Sequence, residues 1–438
     1  MIEYNQNTKI KACVICPIVS GKEQSLSAES RLEEANGLAL AINLDIVHSE
    51  IVRLKELKPA MYFSRGFTER LRPIIEENAI ELMVVDTLLS PIQQRNLERE
   101  LKLKVIDRTA LILEIFGERA QTKEGALQVE LAHLTYQRSR LVRSWTHLER
   151  QRGGAGFLGG PGETQIELDR RIIDDKIVRI KKDLEKVRQT RDIQRGARRK
   201  VPYPIVALVG YTNAGKSTLF NRLTQSNVMA ADMLFATLDP TMRKIKLPGG
   251  MEVILSDTVG FISDLPHELV MAFRATLEEV LNADIILHVR DISNPDTNAQ
   301  RNDVLQVLES LGLKEVKYAD NYIEVLNKAD LLESSEHTSW QNKAKDNNSA
   351  VLTSAYSGEG CNRLLYLIEQ KLTDSHLHCV ISFPVTDGKT AAWLHQNSKI
   401  QKLENDEKLN TYTVAIRPDD LARLGKMAEH NHEISIRK

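Results

Sequence analysis

The stretch Ile205–Leu223, IVALVGYTNAGKSTLFNRL, decides the fold of the central part of the chain. It opens with the apolar run IVALVG, which is typical of a buried strand, and closes with KSTLFNRL, which has a helical pattern. Between them, Gly210–Ser217 fits the G-x-x-x-x-G-K-S pattern of a phosphate loop, in the strand-to-helix context that this pattern needs. The stretch therefore predicts a P-loop domain, in which backbone N–H groups and a helix N-terminus bind phosphate.

The phosphate loop and a second motif predict how the phosphates are held. Lys216 would reach the β- and γ-phosphates, and the hydroxyl of Ser217 would bind Mg²⁺. The apolar stretch EVILSDTVG ends in a D-x-x-G arrangement, Asp257 to Gly260. We expect Asp257 to hold the Mg²⁺ shell and the backbone N–H of Gly260 to meet the γ-phosphate.

Two later motifs predict which base is bound. The stretch YIEVLNKAD ends in Asn327, Lys328 and Asp330, an N-K-x-D arrangement. The Asp330 carboxylate can accept from guanine N1 and the exocyclic amine, whereas adenine lacks this donor pair and would leave the carboxylate unpaired. The stretch TSAYSG supplies Ser354 and Ala355, where a backbone N–H is expected to meet guanine O6. Together these motifs predict GTP.

The segment LFATLDPTMRK is the expected first switch of this domain. Either Thr237 or Thr241 would close on Mg²⁺ and the γ-phosphate, and the alternative for each is a surface hydroxyl. We favour Thr237 because Pro240 restricts the backbone next to Thr241.

Phe261 stands where many GTPases have a glutamine that orients the attacking water. A phenylalanine cannot hydrogen-bond water, so hydrolysis should be slow unless something else positions that water. The candidates are a monovalent cation such as K⁺, with Asn213 as a ligand, or a bound partner; the alternative for Asn213 is a loop-capping amide. We expect hydrolysis by positioning and charge neutralisation rather than by a general base.

The predicted site is summarised by role. The predicted catalytic residues are Lys216, Thr237 and Gly260, and the predicted Mg²⁺ ligands are Ser217, Thr237 and Asp257. The residues expected to bind GTP or GDP are Gly210, Tyr211, Thr212, Asn213, Ala214, Gly215, Lys216, Ser217, Thr218, Phe235, Ala236, Thr237, Asp257, Thr258, Val259, Gly260, Asn327, Lys328, Asp330, Ser354, Ala355 and Tyr356.

Length and composition indicate how many domains the chain has and which classes of protein it does not fit. At 438 residues the chain predicts about three domains of ~150 residues. No apolar run reaches the ~18 residues that a membrane span needs, and the N-terminus lacks a secretory pattern, so we expect a cytoplasmic protein. Cys13 and Cys16 form a C-x-x-C inside an apolar run, and Cys361 and Cys379 stand alone. We therefore interpret the pair as buried strand cysteines rather than as half of a zinc site.

The pattern of apolar residues divides the chain into four expected regions. Residues 1–117 alternate strands and helices, which indicates an α/β domain. Residues 118–200 carry two heptad patterns around a glycine-rich stretch, which predicts an antiparallel coiled-coil hairpin about 45 Å long. Residues 201–373 form the P-loop domain, and residues 374–438 a small α/β domain. The heptad positions are Leu127, Leu131, Leu134, Arg138, Leu141, Trp145 and Leu148, then Ile166, Ile173, Ile177, Ile180, Leu184 and Val187.

The hairpin region differs in charge from the rest of the chain. Residues 118–200 hold 20 Lys and Arg against 12 Asp and Glu, while the whole chain has a net charge of −1. This predicts a polyanionic partner, and the alternative is a well-solvated helix pair. The tip GGAGFLGGPGETQ, residues 153–165, contains six glycines that would let the backbone approach RNA, with Phe157 and Leu158 available to stack or wedge.

The sequence resembles the HflX-type translational GTPases of the Obg–HflX group. The shared stretches run over roughly residues 80–365 and include RAQTKEGALQVELA, RLVRSWTHLERQ, GGPGETQIELDRR, ATLDPT and LSDTVGFISDLPHELVMAFRATLEEV. The resemblance implies a GTPase that binds the large ribosomal subunit, is stimulated by it, and splits stalled or idle ribosomes. Separately, we expect the protein to be a monomer. It also implies that the hairpin and its glycine loop reach the ribosomal RNA near the peptidyl-transferase region.

Two departures from the family pattern limit what the resemblance implies. Members commonly have a Gly-x-Gly-Lys-like loop in the N-terminal domain, but here the stretch reads Arg65-Gly66-Phe67 and has no lysine, so we expect no second nucleotide site. The tail after residue 376 matches only loosely. Two other functions stay open on the sequence: a regulatory switch whose coiled coil binds a protein, and a GTP-dependent RNA remodelling factor.

Overall fold

The computed structural model describes most of the chain. The described residues are 9–21, 25–151, 165–198, 203–225, 234–235, 241–264, 280–313, 316, 319–374, 377–406, 408–416, 421, 423–425, 427–428 and 434–437, with side chains omitted at 142–151, 165–166, 188, 191–198, 378, 396, 399 and 405. Two compact units result, Met1–Ile245 with Ile254–Cys361, and Lys246–Val253 with Asn362–Lys438.

The N-terminal region is a parallel sheet with helices between its strands. Its elements are β1 (Lys11–Val19), α1 (Ala28–Ala41), β2 (Asp45–Leu54), α2 (Arg65–Asn78), β3 (Leu82–Val85), α3 (Pro91–Leu101), β4 (Lys104–Asp107) and α4 (Arg108–Arg119). The strand order is β2-β1-β3-β4, and neighbouring strands run parallel. Cys13 and Cys16 are buried in β1, as its apolar run predicted. The α/β prediction for this region is confirmed.

Local signals set the starts of these helices. Ser90 forms a capping box with Gln93 at the start of α3, where Pro91 occupies the first turn. Asp107 caps α4 by accepting from the backbone N–H of Ala110 at 2.9 Å. These caps satisfy N–H groups that a helix start otherwise leaves unpaired.

A long antiparallel hairpin follows, formed by α5 (Lys123–Gln151) and α6 (Gln165–Arg198). Leu134, Ile177 and Ile180 are buried at its seam, and the seam is extended by Leu127, Leu131, Ile173 and Leu184. Arg138, the polar seam position, pairs with Asp174 across the hairpin at 3.1 Å. The predicted heptad packing is thus confirmed for these residues. The side chains of Trp145, Leu148 and Ile166, and the whole of the tip residues 152–164, lie outside the described part.

The P-loop region is a sheet of six strands. Its elements are β5 (Ile205–Gly210), α7 (Lys216–Thr224), β6 (Thr241–Lys246), β7 (Glu252–Asp257), β8 (Ile285–Asp291), α8 (Thr297–Ser310), β9 (Tyr322–Asn327), α9 (Ser334–Asp346) and β10 (Ala350–Leu352). The order is β10-β9-β8-β5-β7-β6, and β5 runs parallel to both of its neighbours. The apolar run before the phosphate loop forms β5. This strand lies in the middle of the sheet and is buried, which is why its residues are apolar.

The second unit contains all of α10 (Cys361–Asp374) except its first residue, and a small antiparallel sheet. The sheet elements are β11 (Leu377–Pro384), α11 (Gly388–Asn397), β12 (Ser398–Asn405), β13 (Leu409–Ile416) and β14 (Ser435–Arg437), in the order β12-β13-β11-β14. A small α/β domain was predicted and is confirmed. Strands β12 and β14 were not predicted. The sequence of β12, SKIQKLEN, is largely polar and becomes a strand by pairing with β13.

Candidate functional site

The phosphate loop connects β5 to α7 through backbone conformations that few residues tolerate. Gly215 has φ +90° and caps α7, and a Cβ there would lie 2.3 Å from Asn327 Nδ2. Gly210 has φ +154°, and its Cβ would lie 2.2 Å from the carbonyl oxygen of Val289. Both positions therefore require glycine. The loop ends at the N-terminus of α7, and backbone N–H groups at a helix N-terminus are an arrangement that binds phosphate.

Lys216 is the buried cation of this loop. Its side chain is 6% exposed, and its Nζ donates to the backbone oxygen of Tyr211 at 2.7 Å. Burial lowers the pKa of Lys216 to about 8, against an opposing effect of the Asp257 carboxylate. A bound phosphate would favour the charged ammonium, because a nearby opposite charge stabilises it.

Ser217 and Asp257 meet beside the loop. The Ser217 hydroxyl donates to Asp257 Oδ2 at 2.7 Å, and Asp257 is fully buried at the end of β7. A hydroxyl and a carboxylate in contact fit Mg²⁺, which prefers oxygen ligands and usually keeps only one or two from the protein beside substrate phosphates. Thr237, the third predicted ligand, and Ala236 lie outside the described residues, and Thr241 begins β6.

The D-x-x-G segment is held against the phosphate loop by backbone hydrogen bonds. The N–H of Phe261 donates to the oxygen of Gly210 at 3.1 Å, and the N–H of Thr212 donates to the oxygen of Phe261 at 2.7 Å. A Cβ on Gly260 would lie 2.9 Å from Lys216 Nζ. The Phe261 side chain is 1% exposed and belongs to the apolar core, so its ring cannot orient a water.

The loops that are predicted to bind the base and the phosphates are joined by Asn327. Its Nδ2 donates to the oxygen of Ala214 at 2.8 Å, and its Oδ1 accepts from the N–H of Ala355 at 2.9 Å. A backbone N–H of Ser354 or Ala355 was expected to meet guanine O6, and the Ala355 N–H donates to Asn327. Asp330 Oδ1 accepts from the Ser354 hydroxyl at 2.5 Å. This contact fixes the carboxylate that is expected to read the base.

Two side chains of the site were missed by the sequence motifs. Arg222 on α7 donates through Nε to the oxygen of Ala355 at 3.1 Å and also contacts the oxygen of Tyr356, whose side chain is 81% exposed. Glu34 on α1 contacts the Tyr211 hydroxyl. Neither lies in a nucleotide motif, so no local signal marks them.

A cavity of about 600 Å³ lies beside the phosphate loop. The loop contributes Tyr211, Thr212 and Asn213 to its lining, and α1 contributes Glu29 and Glu33. Asn213 is exposed and has φ 57°. Helix α1 of the N-terminal region therefore lies close to the loop predicted to hold the phosphates.

These features define a P-loop GTPase: the phosphate loop, the D-x-x-G and the N-K-x-D all lie at the carboxyl ends of parallel strands of one sheet. Three family models match the chain, described as GTP-binding GTPase N-terminal (residues 29–117), GTP-binding GTPase Middle Region (119–198) and 50S ribosome-binding GTPase (205–328).

Curated relatives extend the match over nearly the whole chain. The GTPase HflX of Magnetococcus marinus is 47% identical over 407 residues, which cover 93% of this chain and 93% of that protein. The GTPase HflX of Escherichia coli is 42% identical over 371 residues, covering 85% and 86%. The chain belongs to the HflX family of GTPases. It is thus an enzyme that hydrolyses GTP.

A solved structure is also similar. The GTP-binding protein of Sulfolobus solfataricus in complex with GDP is 22% identical, with a TM-score of 0.45, covering 83% of this chain and 99% of that chain. Within the described residues, no helix is both long and apolar enough to span a membrane.

Proposed function

We propose that this GTPase acts in the cytoplasm on ribosomes, binds the large ribosomal subunit as a monomer, and splits stalled or idle ribosomes. The family model that matches residues 205–328 is described as a 50S ribosome-binding GTPase, which supports the proposal. The observation that carries it is the hairpin of α5 and α6, 29 and 34 residues long, because an arm of about 45 Å can reach deep into a large partner.

The charge of the arm supports an RNA partner. Exposed basic side chains lie along the described part of α6: Arg170, Arg171, Lys176, Arg179, Lys181, Lys182 and Lys186. The apolar seam is already filled by Leu134, Ile177 and Ile180, so it is not available to a helix of another protein. Phosphate contacts by such residues position a protein on nucleic acid without reading sequence.

The domain division belongs to the same proposal. Residues 1–117 and the arm, 118–200, would dock on the ribosome, with the loop 153–165 at the ribosomal RNA. Residues 201–373 would supply the GTP switch, and residues 374–438 form a separate small domain.

The residues that we propose to surround GTP are those of the nucleotide motifs. Lys216 would neutralise charge on the β- and γ-phosphates, and the Gly260 N–H would donate to the γ-phosphate. Ser217, Asp257 and Thr237 would hold Mg²⁺, which when bound neutralises charge on the phosphate oxygens. Asp330 would accept from guanine, with its orientation fixed by Ser354.

Sucrose gradients test this function directly. Purified ribosomes are incubated with the protein and either GDP or a non-hydrolysable GTP analogue, and the profiles are compared. We expect the GTP-analogue state to co-sediment with the large subunit and to convert whole ribosomes to subunits. Failure of both would overturn the proposal.

Salt and RNA controls separate the alternatives. Binding through phosphate contacts weakens steeply with salt, whereas an apolar coiled-coil interface depends on it much less. Stimulation of GTP hydrolysis by free structured RNA, to the level seen with ribosomes, would instead favour an RNA remodelling factor.

A further inference from the structure

A buried polar contact joins the N-terminal region to the phosphate loop within the first compact unit. The carboxylate of Glu34 on α1, which is 9% exposed, contacts the hydroxyl of Tyr211 in the phosphate loop. The same carboxylate accepts from the Ser263 hydroxyl at 2.8 Å. One acidic side chain thus reaches both the phosphate loop and the segment that follows the D-x-x-G.

Tyr211 lies at the centre of the contacts that fix the catalytic groups. Its backbone oxygen accepts from Lys216 Nζ at 2.7 Å, and its hydroxyl accepts from the N–H of Ser263 at 2.6 Å. Tyr211 also forms a parallel bridge with Phe261. Burial, and then the Glu34 carboxylate, raise the pKa of Tyr211, so the hydroxyl stays protonated and donates to Glu34.

Glu34 is itself held in place by a second layer of charges. The buried guanidinium of Arg108 contacts Glu34 and Asp86, and donates to the backbone oxygen of Ser263 at 2.9 Å. Burial raises the pKa of Asp86, but the Arg108 and Arg31 guanidiniums outweigh it and hold that pKa below its ordinary value. These contacts orient the Glu34 carboxylate toward Tyr211 and Ser263.

We propose that Glu34 is a positioning residue for GTP hydrolysis, acting through Tyr211 and Ser263 on Gly260 and Lys216. The stretch from Gly260 to Ser263 is fixed at one end by the Phe261 backbone pair and at the other by the Tyr211 hydroxyl. Because Phe261 cannot orient water, the rate depends on the placement of Lys216 and the Gly260 N–H, and small displacements of such groups cost rate. The inference rests on the proposed contact between Gly260 and the γ-phosphate.

The test compares Tyr211→Phe, Glu34→Gln and Glu34→Ala in the full chain. Single-turnover GTP hydrolysis is measured without ribosomes, so the result is independent of the proposed ribosomal function. We expect the rate to fall about tenfold or more in Tyr211→Phe and Glu34→Ala, and less in Glu34→Gln, whose amide oxygen still accepts from Tyr211. Glu77→Ala, at an exposed glutamate on α2, should leave the rate unchanged.

Nucleotide affinity separates positioning from a loss of structure. The affinity for a non-hydrolysable GTP analogue should fall several-fold while the affinity for GDP stays constant, because only GTP has the γ-phosphate that Gly260 meets. The double variant Glu34→Ala with Tyr211→Phe should be no slower than the slower single variant, since both act through one contact.

Several outcomes would overturn the proposal. Tyr211→Phe is nearly isosteric, so it decides the matter even if Glu34→Ala fails to fold. An unchanged or higher rate in Tyr211→Phe, or an equal loss of GDP and GTP-analogue affinity, would show that the contact only joins the two regions. A Gly260→Ala variant that keeps full GTP-analogue affinity would instead fault the proposed γ-phosphate contact.

Discussion

At the scale of single residues, burial decides how Lys216 acts, and a hydroxyl contact decides how Asp330 is oriented. Lys216 is nearly inaccessible to water, so its charge interacts strongly with any phosphate in the loop. Asp330 is oriented by the Ser354 hydroxyl and can present its other oxygen to a base. Both are expected to contribute through preorganised electrostatics rather than through proton transfer.

Replacing Lys216 by alanine should abolish efficient turnover. The variant loses the ammonium that neutralises the phosphates, and we expect single-turnover hydrolysis to fall by about 100-fold or more. Lys55→Ala, at an exposed lysine, is the matched control. A Lys216→Ala protein that hydrolyses GTP at the normal rate would rule out the assigned role.

Replacing Asp330 by asparagine should weaken the preference for guanine. A charged acceptor is lost, which is expected to cost about 1.5–3 kcal/mol of GTP binding. Xanthine has a carbonyl where guanine has its amine, so the asparagine amide should improve binding of xanthosine triphosphate. Competition binding with GTP, ATP and xanthosine triphosphate measures both effects. Unaltered selectivity for GTP over ATP would contradict the assignment.

At the scale of elements, the hairpin is stabilised by its seam rather than by its charges. At the seam, the apolar side chains of α5 pack against the apolar side chains of α6 and are buried there. The Arg138–Asp174 pair is more than 40% exposed on both sides, and such pairs contribute little to stability. Exposed basic residues of α6 therefore contribute little to holding the hairpin together.

Deleting Gly154 to Gly160 should separate binding of GTP from action on ribosomes. The phosphate loop lies on β5 and α7, so affinity for GTP should be unchanged. We expect loss of ribosome splitting, because the backbone that would approach the RNA is removed. Nucleotide titration and sucrose gradients, with Lys345→Ala at an exposed lysine of α9 as an unrelated surface variant, measure the two effects. A deletion variant that still splits ribosomes at the normal rate would show that the loop is dispensable.

At the scale of the whole first unit, the N-terminal region and the P-loop region share one core. Phe235 packs edge-on against Phe116 with ring centroids 4.7 Å apart, and Leu234 lies against Gly37. The Ser25 hydroxyl donates to Asp303 on α8 at 3.2 Å. The P-loop region is therefore in direct contact with the N-terminal region within this unit.

The contact at Asp303 predicts a pH dependence. Burial raises the pKa of Asp303 to about 6 from an ordinary 3.8, so between these values the folded state binds more protons than the unfolded state. The contribution of this group to stability is therefore lost as pH rises through about 6. Asp303→Asn should raise Tm relative to the natural chain by about 1–2 °C at pH 7.5 and less at pH 5. Asp346→Asn, at an exposed carboxylate, is the control; an equal effect at both pH values would contradict the prediction.

The sequence predicted those features that are local along the chain. The phosphate loop, the D-x-x-G and the N-K-x-D are each short, and each follows an apolar run that forms a strand of the sheet. The hairpin was predicted because a heptad pattern is repeated on both sides of a glycine-rich break. Strand β12 was missed because its polar residues form a strand only through pairing with β13.

Local chemistry in the sequence therefore determined the class of protein, its nucleotide and the existence of the arm. Only the tertiary structure showed that Asn327 accepts from the Ala355 N–H and that Arg222 donates to the oxygen of Ala355. It alone placed Glu34 against Tyr211, residues separated by 177 positions in the chain. The physical reason is that a motif fixes which groups a few neighbouring residues present, whereas the partners of those groups are set by packing between distant elements.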